Sequence, residues 1–123
     1  MVRLHDAATV DRAAPSAQAL LPVLGASGAE GCYVYAFDPA SPDRAYARFF
    51  NPTVGLWEDA ATGTAAGPLC AYLGTAGLLN ADNEHVIEQG TKMGRRSLLG
   101  VRLVPHPELS GTGLVVLRGT LTH

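Results

Sequence analysis

Residues 48–67 read RFFNPTVGLWEDAATGTAAG and carry more information than any other part of this chain. An acidic pair, Glu58 and Asp59, precedes a Thr-Gly-Thr turn and a run of small residues that opens an apolar helix pattern. The first N–H groups of a helix lack intrahelical partners, and the helix dipole adds partial positive charge there, so they attract anions. Small residues let a carboxylate approach these N–H groups, and Asp59 lies beside them as a possible proton carrier. The stretch therefore predicts a carboxylate-binding helix start with a titratable neighbour.

The same residues also fit an ordinary helix start that binds no ligand. Thr62 or Thr64 would then cap the helix, and the two acids would complement its dipole. On the residues alone, both interpretations stay open.

The rest of the chain has the patterns of a mixed α+β domain. Apolar and β-branched runs bounded by turn residues predict six strands, at residues 2–5, 31–37, 44–50, 85–89, 97–104 and 113–117. The second and third of these runs are separated by a short Pro-containing turn, so we expect them to form a hairpin.

Three helical segments are expected between these strands. Asp6 can cap a short helix that ends near Arg12, a second begins after Pro15, and residues 25–31 read as a loop. The third helix, at residues 63–73, has apolar residues around most of its circumference, which predicts burial on nearly all sides. Because proline lacks an N–H group, we expect an irregular first turn at residues 67–68.

Composition and charge narrow the possible functions. A length of 123 residues indicates one domain, and a net charge of −2 with a pI near 6.0 gives no electrostatic footprint for nucleic acid. No apolar run approaches the roughly 20 residues needed to span a bilayer, and residues 1–24 do not resemble a signal peptide. Cys32 and Cys70 have no Cys or His at ligand spacing, so we expect reduced thiols, no metal site and a cytoplasmic protein.

Several motifs, in order along the chain, resemble those of the PhzF-like phenazine-biosynthesis isomerase family, which is related to diaminopimelate epimerase. The family has an Arg-Phe-Phe-x-Pro segment, a Glu-Asp-Pro-Ala-Thr-Gly-Ser-Ala helix start, a helix ending in Tyr-Leu, a Gln-Gly-x-x-Met-Gly-Arg-Pro-Ser segment and a Val-rich strand. The matching segments here are residues 48–52, 58–65, 69–73, 89–97 and 114–119.

This resemblance implies a diaminopimelate-epimerase-like domain, with a mixed, curled sheet of about six strands around one central helix. Family members are roughly twice as long and bind their ligand between two similar domains. Residues 1–123 correspond to the second, C-terminal domain only. The family's catalytic glutamate and its Gly-Asn-Pro loop belong to the first domain, and no such loop occurs in this sequence.

The resemblance also assigns candidate site residues. Asp59 matches the aspartate that lies opposite the catalytic glutamate, so it is the candidate catalytic residue. Gly63 and Thr64 match the glycine and serine that hold a substrate carboxylate, and Thr62 completes the candidate substrate-binding set although it also suits a cap. Ala60 replaces a family proline, which makes the turn less rigid.

Neighbouring residues receive other expectations. Glu58 is expected to be solvated or to complement the helix dipole, and Trp57 to wall a pocket or to lie exposed at a subunit contact. Structural roles are expected for Gln89, Gly90 and Arg95, whereas Arg96 replaces a family proline and has no assigned role.

Two functions remain open. The first is an isomerase half that performs cofactor-free proton transfer on a small carboxylic-acid metabolite, once a first-domain partner or a second copy in a homodimer completes the cleft. The second is a non-catalytic remnant that acts as a small-acid-binding or dimerising module. The missing glutamate favours the second function, and the retained acids and hydroxyls at residues 58–64 favour the first.

Overall fold

A computed structural model describes residues 1–121 of the chain. Its α-helices are α1 Ala7–Arg12, α2 Ala17–Ser27 and α3 Gly63–Thr75, and short 3-10 turns lie at Pro52–Val54 and Thr91–Met93. Its strands are β1 Val2–Arg3, β2 Cys32–Phe37, β3 Arg44–Asn51, β4 Leu56–Asp59, β5 Glu84–Gln89, β6 Ser97–Arg102 and β7 Glu108–Ser110. Within this part of the chain, no helix is long and apolar enough to cross a bilayer.

All seven strands belong to one mixed sheet, in the order β1-β2-β3-β5-β6-β7, with β4 paired to β3. β2 and β3 form the predicted antiparallel hairpin, whereas β5 runs parallel to β3. The α+β class is therefore confirmed, with seven strands where about six were expected.

Alternating side chains along the strands separate two apolar clusters, one on each face of the sheet. Tyr33 and Tyr35 of β2 point towards α3, where they pack with the buried stripe of that helix. Val34 of β2 and Phe50 of β3 point to the other face, where they contact Val10 of α1. Helices thus cover both faces, and α3 is packed against only one of them.

The prediction that α3 is buried on nearly all sides is wrong. Its buried residues, Ala66, Leu69, Cys70 and Leu73, follow the three- and four-residue spacing of a single stripe. Tyr72, on the other side of the helix, is exposed. The helix has few charged residues, and this composition predicted burial on nearly all sides. Because the helix packs against only one face of the sheet, its other side stays exposed.

Two further helix predictions need correction, while the cap of α1 is confirmed. The carboxylate of Asp6 accepts hydrogen bonds from the Thr9 hydroxyl and N–H, which lower the pKa of Asp6 to about 2. α2 extends to Ser27, into the predicted loop. α3 continues without irregularity through Pro68, because the carbonyl that loses its partner belongs to the solvent-exposed Thr64.

The predicted last strand, at residues 113–117 and overlapping the family-like segment 114–119, is also wrong. Residues 111–121 form no helix or strand, and the large apolar side chains there are exposed. The chain instead pairs residues 108–110 with β6, as β7, where we expected a connection. Strand composition alone is not sufficient, since a strand also needs a neighbouring edge to accept its hydrogen bonds.

Candidate functional site

The candidate site lies beside β3, at the edge where two different strands pair with it. One edge of β3 is covered by β2, so β4 and β5 must share the other edge. Asp59, the last residue of β4, pairs with Phe49, and Gln89, the last residue of β5, pairs with Ala47. The carboxyl ends of the two strands therefore meet beside residue 48, and α3 begins four residues after β4.

A hydrogen-bond network joins these strand ends to the start of α3. The Gln89 carboxamide donates from Nε2 to the Asp59 carbonyl at 2.7 Å and to Thr62 Oγ1 at 2.9 Å. Its Oε1 accepts from the Tyr33 hydroxyl at 2.9 Å and from the Thr62 N–H at 3.3 Å. From the sequence alone, we expected Gln89 to form only a structural turn. Its position at the end of a strand, followed by glycine, was the one local signal for this contact.

Asp59 is held by the same network through a single side-chain oxygen. The Thr62 hydroxyl donates to Asp59 Oδ2 at 2.7 Å. Within residues 1–121, Oδ1 of Asp59 accepts no hydrogen bond, so one carboxylate oxygen is fixed and the other can accept a proton or a polar ligand group.

Thr62 occupies the N-cap position of α3, but its side chain does not cap the helix. The interpretation of Thr62 as a side-chain cap is therefore wrong, because its hydroxyl is directed to Asp59 instead. The Thr62 carbonyl accepts from the N–H groups of Ala65 and Ala66. Within the described chain, the N–H groups of Gly63 and Thr64 donate no hydrogen bond, which leaves two free donors at the helix start.

Gly63 is in contact with β7, in addition to being a candidate for substrate binding. A side chain at this position would collide with the Leu109 side chain of β7. The Leu109 side chain of β7 thus packs over Gly63 at the start of α3, a contact that local sequence patterns did not indicate.

Glu58 is not a solvated acid, which corrects the expectation from the sequence. Its carboxylate accepts from Arg48 Nε at 2.8 Å and from Arg48 Nη2 at 2.9 Å, and this hydrogen bonding raises the pKa of the guanidinium. Arg48 Nη1 also donates to the carbonyls of Val10, Asp11 and Ala13 at the end of α1. The pair is a structural connection between α1, β3 and β4.

The turn after β5 packs against the segment from Asp59 to Thr62. Gly90 has a φ of 77°, in the left-handed region, and a side chain there would collide with the carbonyls of Arg95 and Ala60. The structural interpretation of Gly90 is therefore confirmed, and the substituted position Ala60 is packed against it.

The remaining candidates lie outside the network. Trp57 is exposed and packs on Phe50, with ring centroids 5.4 Å apart. Arg96 pairs with Glu88 at 2.9 Å on the surface. Cys70 is a buried thiol whose pKa burial raises to about 11. In the described part of the chain, no group of three His, Cys, Asp or Glu side chains could hold a metal ion.

Among the cavities within residues 1–121, one lies next to the network, at Ala61. It has a volume of about 460 Å³ and is lined by residues that include Ala61, Arg96 and Ser97. The larger cavity, of about 650 Å³, is lined by Tyr46 and Glu88 on the sheet face away from α3. None of the candidate site residues lines either cavity, so neither cavity is the predicted carboxylate site.

Comparison with known proteins gives a consistent set of relatives. A family model described as phenazine biosynthesis-like protein, PhzC-PhzF, matches residues 1–119. The trans-2,3-dihydro-3-hydroxyanthranilate isomerase of Pseudomonas chlororaphis is 40% identical over 80 residues, covering 60% of this chain and 29% of that protein. An uncharacterised isomerase of Clostridium acetobutylicum is 29% identical over 131 residues, covering 98% of this chain and 43% of that protein. The chain therefore spans less than half the length of these relatives.

Solved structures show the same fold. A Pseudomonas aeruginosa protein described as a predicted epimerase superposes with a TM-score of 0.62 and 30% identity, covering 94% of this chain and 42% of its own. A Clostridium difficile protein described as phenazine biosynthesis PhzC/PhzF superposes with a TM-score of 0.71 at 18% identity, covering 98% and 43%. At that lower identity the likeness shows the fold alone. Together they confirm the epimerase-like α+β architecture.

Proposed function

The chain belongs to the phenazine biosynthesis-like PhzC-PhzF family, and we propose that it forms one half of an isomerase active site. Its relatives include named isomerases. The proposed reaction is proton transfer on a small carboxylic acid, without a cofactor, in a cleft that a first-domain partner or a second copy completes. The observation that carries this proposal is the Asp59 carboxylate, held by Thr62 beside the unused N–H groups of α3.

The proposed roles follow from the available donors and acceptors. The N–H groups of Gly63 and Thr64, with the Thr64 hydroxyl, bind the substrate carboxylate at the positive end of the helix dipole. Asp59 carries the proton through Oδ1. Moving a proton between two carbon positions also needs a group that delivers it on the other side of the substrate, and that group comes from the completing subunit.

A small carboxylate should bind at the start of α3. Titration with benzoate is expected to shift the NMR amide signals of Gly63 and Thr64 first, because their N–H groups have no acceptor within residues 1–121. The neutral analogue benzamide is the matched control and should leave these signals in place. Shifts confined to other residues, or none at millimolar benzoate, would contradict the carboxylate site.

The chain should also self-associate. Its charged fraction is only 16%, and Leu114, Val116 and Leu117 are exposed, so a twofold contact that buries apolar surface is the simplest arrangement. Sedimentation velocity at micromolar concentrations should show a dimer, and V116K should weaken it. A clean monomer for the unsubstituted chain would refute this expectation.

The isolated chain should show little or no isomerase activity, because one carboxylate supplies only one of the two proton-handling groups. Deuterium wash-in from solvent into candidate small acids should appear when a first-domain partner is added. Asp59→Asn should abolish this exchange, while the matched variant Asp82→Asn, at an exposed turn, should not. Robust exchange by the chain alone, lost in Asp59→Asn, would disprove the partner requirement and show that a homodimer forms the complete site.

One observation favours the second candidate, a binding or dimerising module without catalysis. Both carboxylate oxygens of Glu58, the acid next to Asp59, are bound to Arg48, so Glu58 does not supply a second proton-handling group. Benzoate binding without deuterium exchange under any pairing with first-domain partners would establish that function.

Cytoplasmic location, which the sequence predicts from reduced thiols, stays a prediction.

A further inference from the structure

Gln89 is the most completely buried polar side chain near the candidate site, with 0% of its surface exposed. Its carboxamide makes four hydrogen bonds, two from Nε2 and two to Oε1. A buried amide with every hydrogen-bonding position filled has one favoured orientation, since any rotation leaves buried groups without partners. Gln89 cannot touch a substrate from this position, so any role in the site must act through its neighbours.

Two of the four partners determine which way the carboxamide faces. The Thr62 N–H can only donate, so Oε1 must face it, and the Asp59 carbonyl can only accept, so Nε2 must face that. Nε2 therefore donates its second hydrogen to Thr62 Oγ1. Because Thr62 Oγ1 accepts there, its own hydrogen is free for Asp59 Oδ2, at 2.7 Å.

We propose that Gln89 is a positioning residue for Asp59, because its carboxamide forces the Thr62 hydroxyl to donate to Oδ2 and leaves Oδ1 as the oxygen that handles the proton. The inference rests on the proposed function of Asp59. In this series of hydrogen bonds, Gln89 of β5 acts through Thr62 on one oxygen of the Asp59 carboxylate.

Tyr33 supports this direction of hydrogen bonding. Burial raises the pKa of the Tyr33 hydroxyl, so the group stays protonated at neutral pH and donates to Gln89 Oε1. Each member of the series Tyr33, Gln89, Thr62 and Asp59 thus donates to the next one. A glutamate at position 89 would keep the shape of the side chain but, as a carboxylate, would lack the Nε2 donor.

The test measures the side-chain rotamer of Asp59 in the full chain, from three-bond couplings of its carboxyl carbon to backbone nitrogen and carbonyl carbon. We expect one χ1 rotamer in the unsubstituted protein and rotamer averaging in Gln89→Glu and in Thr62→Val. Thr62→Ser, which keeps the hydroxyl, should restore the single rotamer. The matched control Gln18→Glu makes the same chemical change at an exposed position of α2 and should have no effect.

Two results would overturn the inference. One is a single, unchanged Asp59 rotamer in both Gln89→Glu and Thr62→Val. If Gln89→Glu does not fold, Gln89→Met, which has a similar length and lacks the Nε2 donor, takes its place in the same measurement. The second overturning result is rotamer averaging of Asp59 in the unsubstituted protein, because Asp59 would then not be held at all.

The exchange assay with a completing partner gives a second readout. Gln89→Glu should lower kcat by on the order of tenfold to hundredfold with KM nearly unchanged, as expected for a misplaced catalytic group. In a Thr62→Val background the same change should have no further effect, because Gln89 acts through Thr62; additive losses would count against the inference. Failure of the proposed function is separate, since it would appear as full exchange in Asp59→Asn.

Discussion

Arg48→Met is expected to lower the free energy of unfolding by about 3–5 kcal/mol, the usual cost of removing one partner from a buried ion pair. Only 9% of the Arg48 side chain and 11% of the Glu58 side chain are exposed. The variant leaves the Glu58 carboxylate without its cation, and it leaves the three carbonyls at the end of α1 without their shared donor. The guanidinium also lies 4.7 Å from the centre of the Phe50 ring, a contact that methionine only partly replaces.

Urea unfolding followed by circular dichroism measures this loss. The matched control is Arg96→Met, which removes a surface pair whose side chains are 55% and 26% exposed, and should lower the free energy of unfolding much less than Arg48→Met does. The double variant with Arg48→Met and Glu58→Leu should recover part of the loss, because no carboxylate remains unpaired. Equal costs for Arg48→Met and Arg96→Met would show that the buried pair does not stabilise the fold.

Gly90→Ala is expected to lower the free energy of unfolding by about 2–5 kcal/mol, which combines left-handed strain with overpacking. The φ of Gly90 is 77°, and the added methyl group would meet the carbonyls of Arg95 and Ala60. Both obstacles are backbone atoms, so they cannot move aside as a flexible side chain could. Because Ala60 follows Asp59 directly, the displacement should also reach the candidate site.

Gly94→Ala is a close control for this substitution. Gly94 has a φ of 74°, but apart from its two chain neighbours no residue of the described chain has an atom within 4 Å of the position a side chain would take. It should therefore cost only about 1–2 kcal/mol, the strain alone. Thermal and urea unfolding of the two variants isolate the collision as the difference, and equal losses would mean that the turn relaxes away from Ala60.

Local sequence was sufficient where a structure depends on neighbouring residues. The hairpin of β2 and β3 follows from two β-rich runs around a short turn, and the Asp6 cap of α1 follows from one residue and its spacing. The start of α3 at Gly63 and the family of the chain were also readable, because both depend on motifs of consecutive residues. The role of Gly90 as a turn residue belongs to the same group.

Local sequence failed where a contact joins distant segments. Glu58 looked solvated because its neighbours are a helix start, yet the register of β3 and β4 places it beside Arg48. The strand predicted at residues 113–117 has suitable composition but no paired edge in the described chain.

The fold class, the family and the acidic residue before a small-residue helix start can all be recognised in the amino-acid sequence. The surroundings of that residue depend on contacts that form only in the folded chain. Gln89 lies 27 residues from Thr62 along the chain, and the two meet because β4 and β5 share one edge of β3. Propensity and motif spacing act through neighbouring residues, whereas this network depends on strand register, and register is set when the whole sheet packs against its helices.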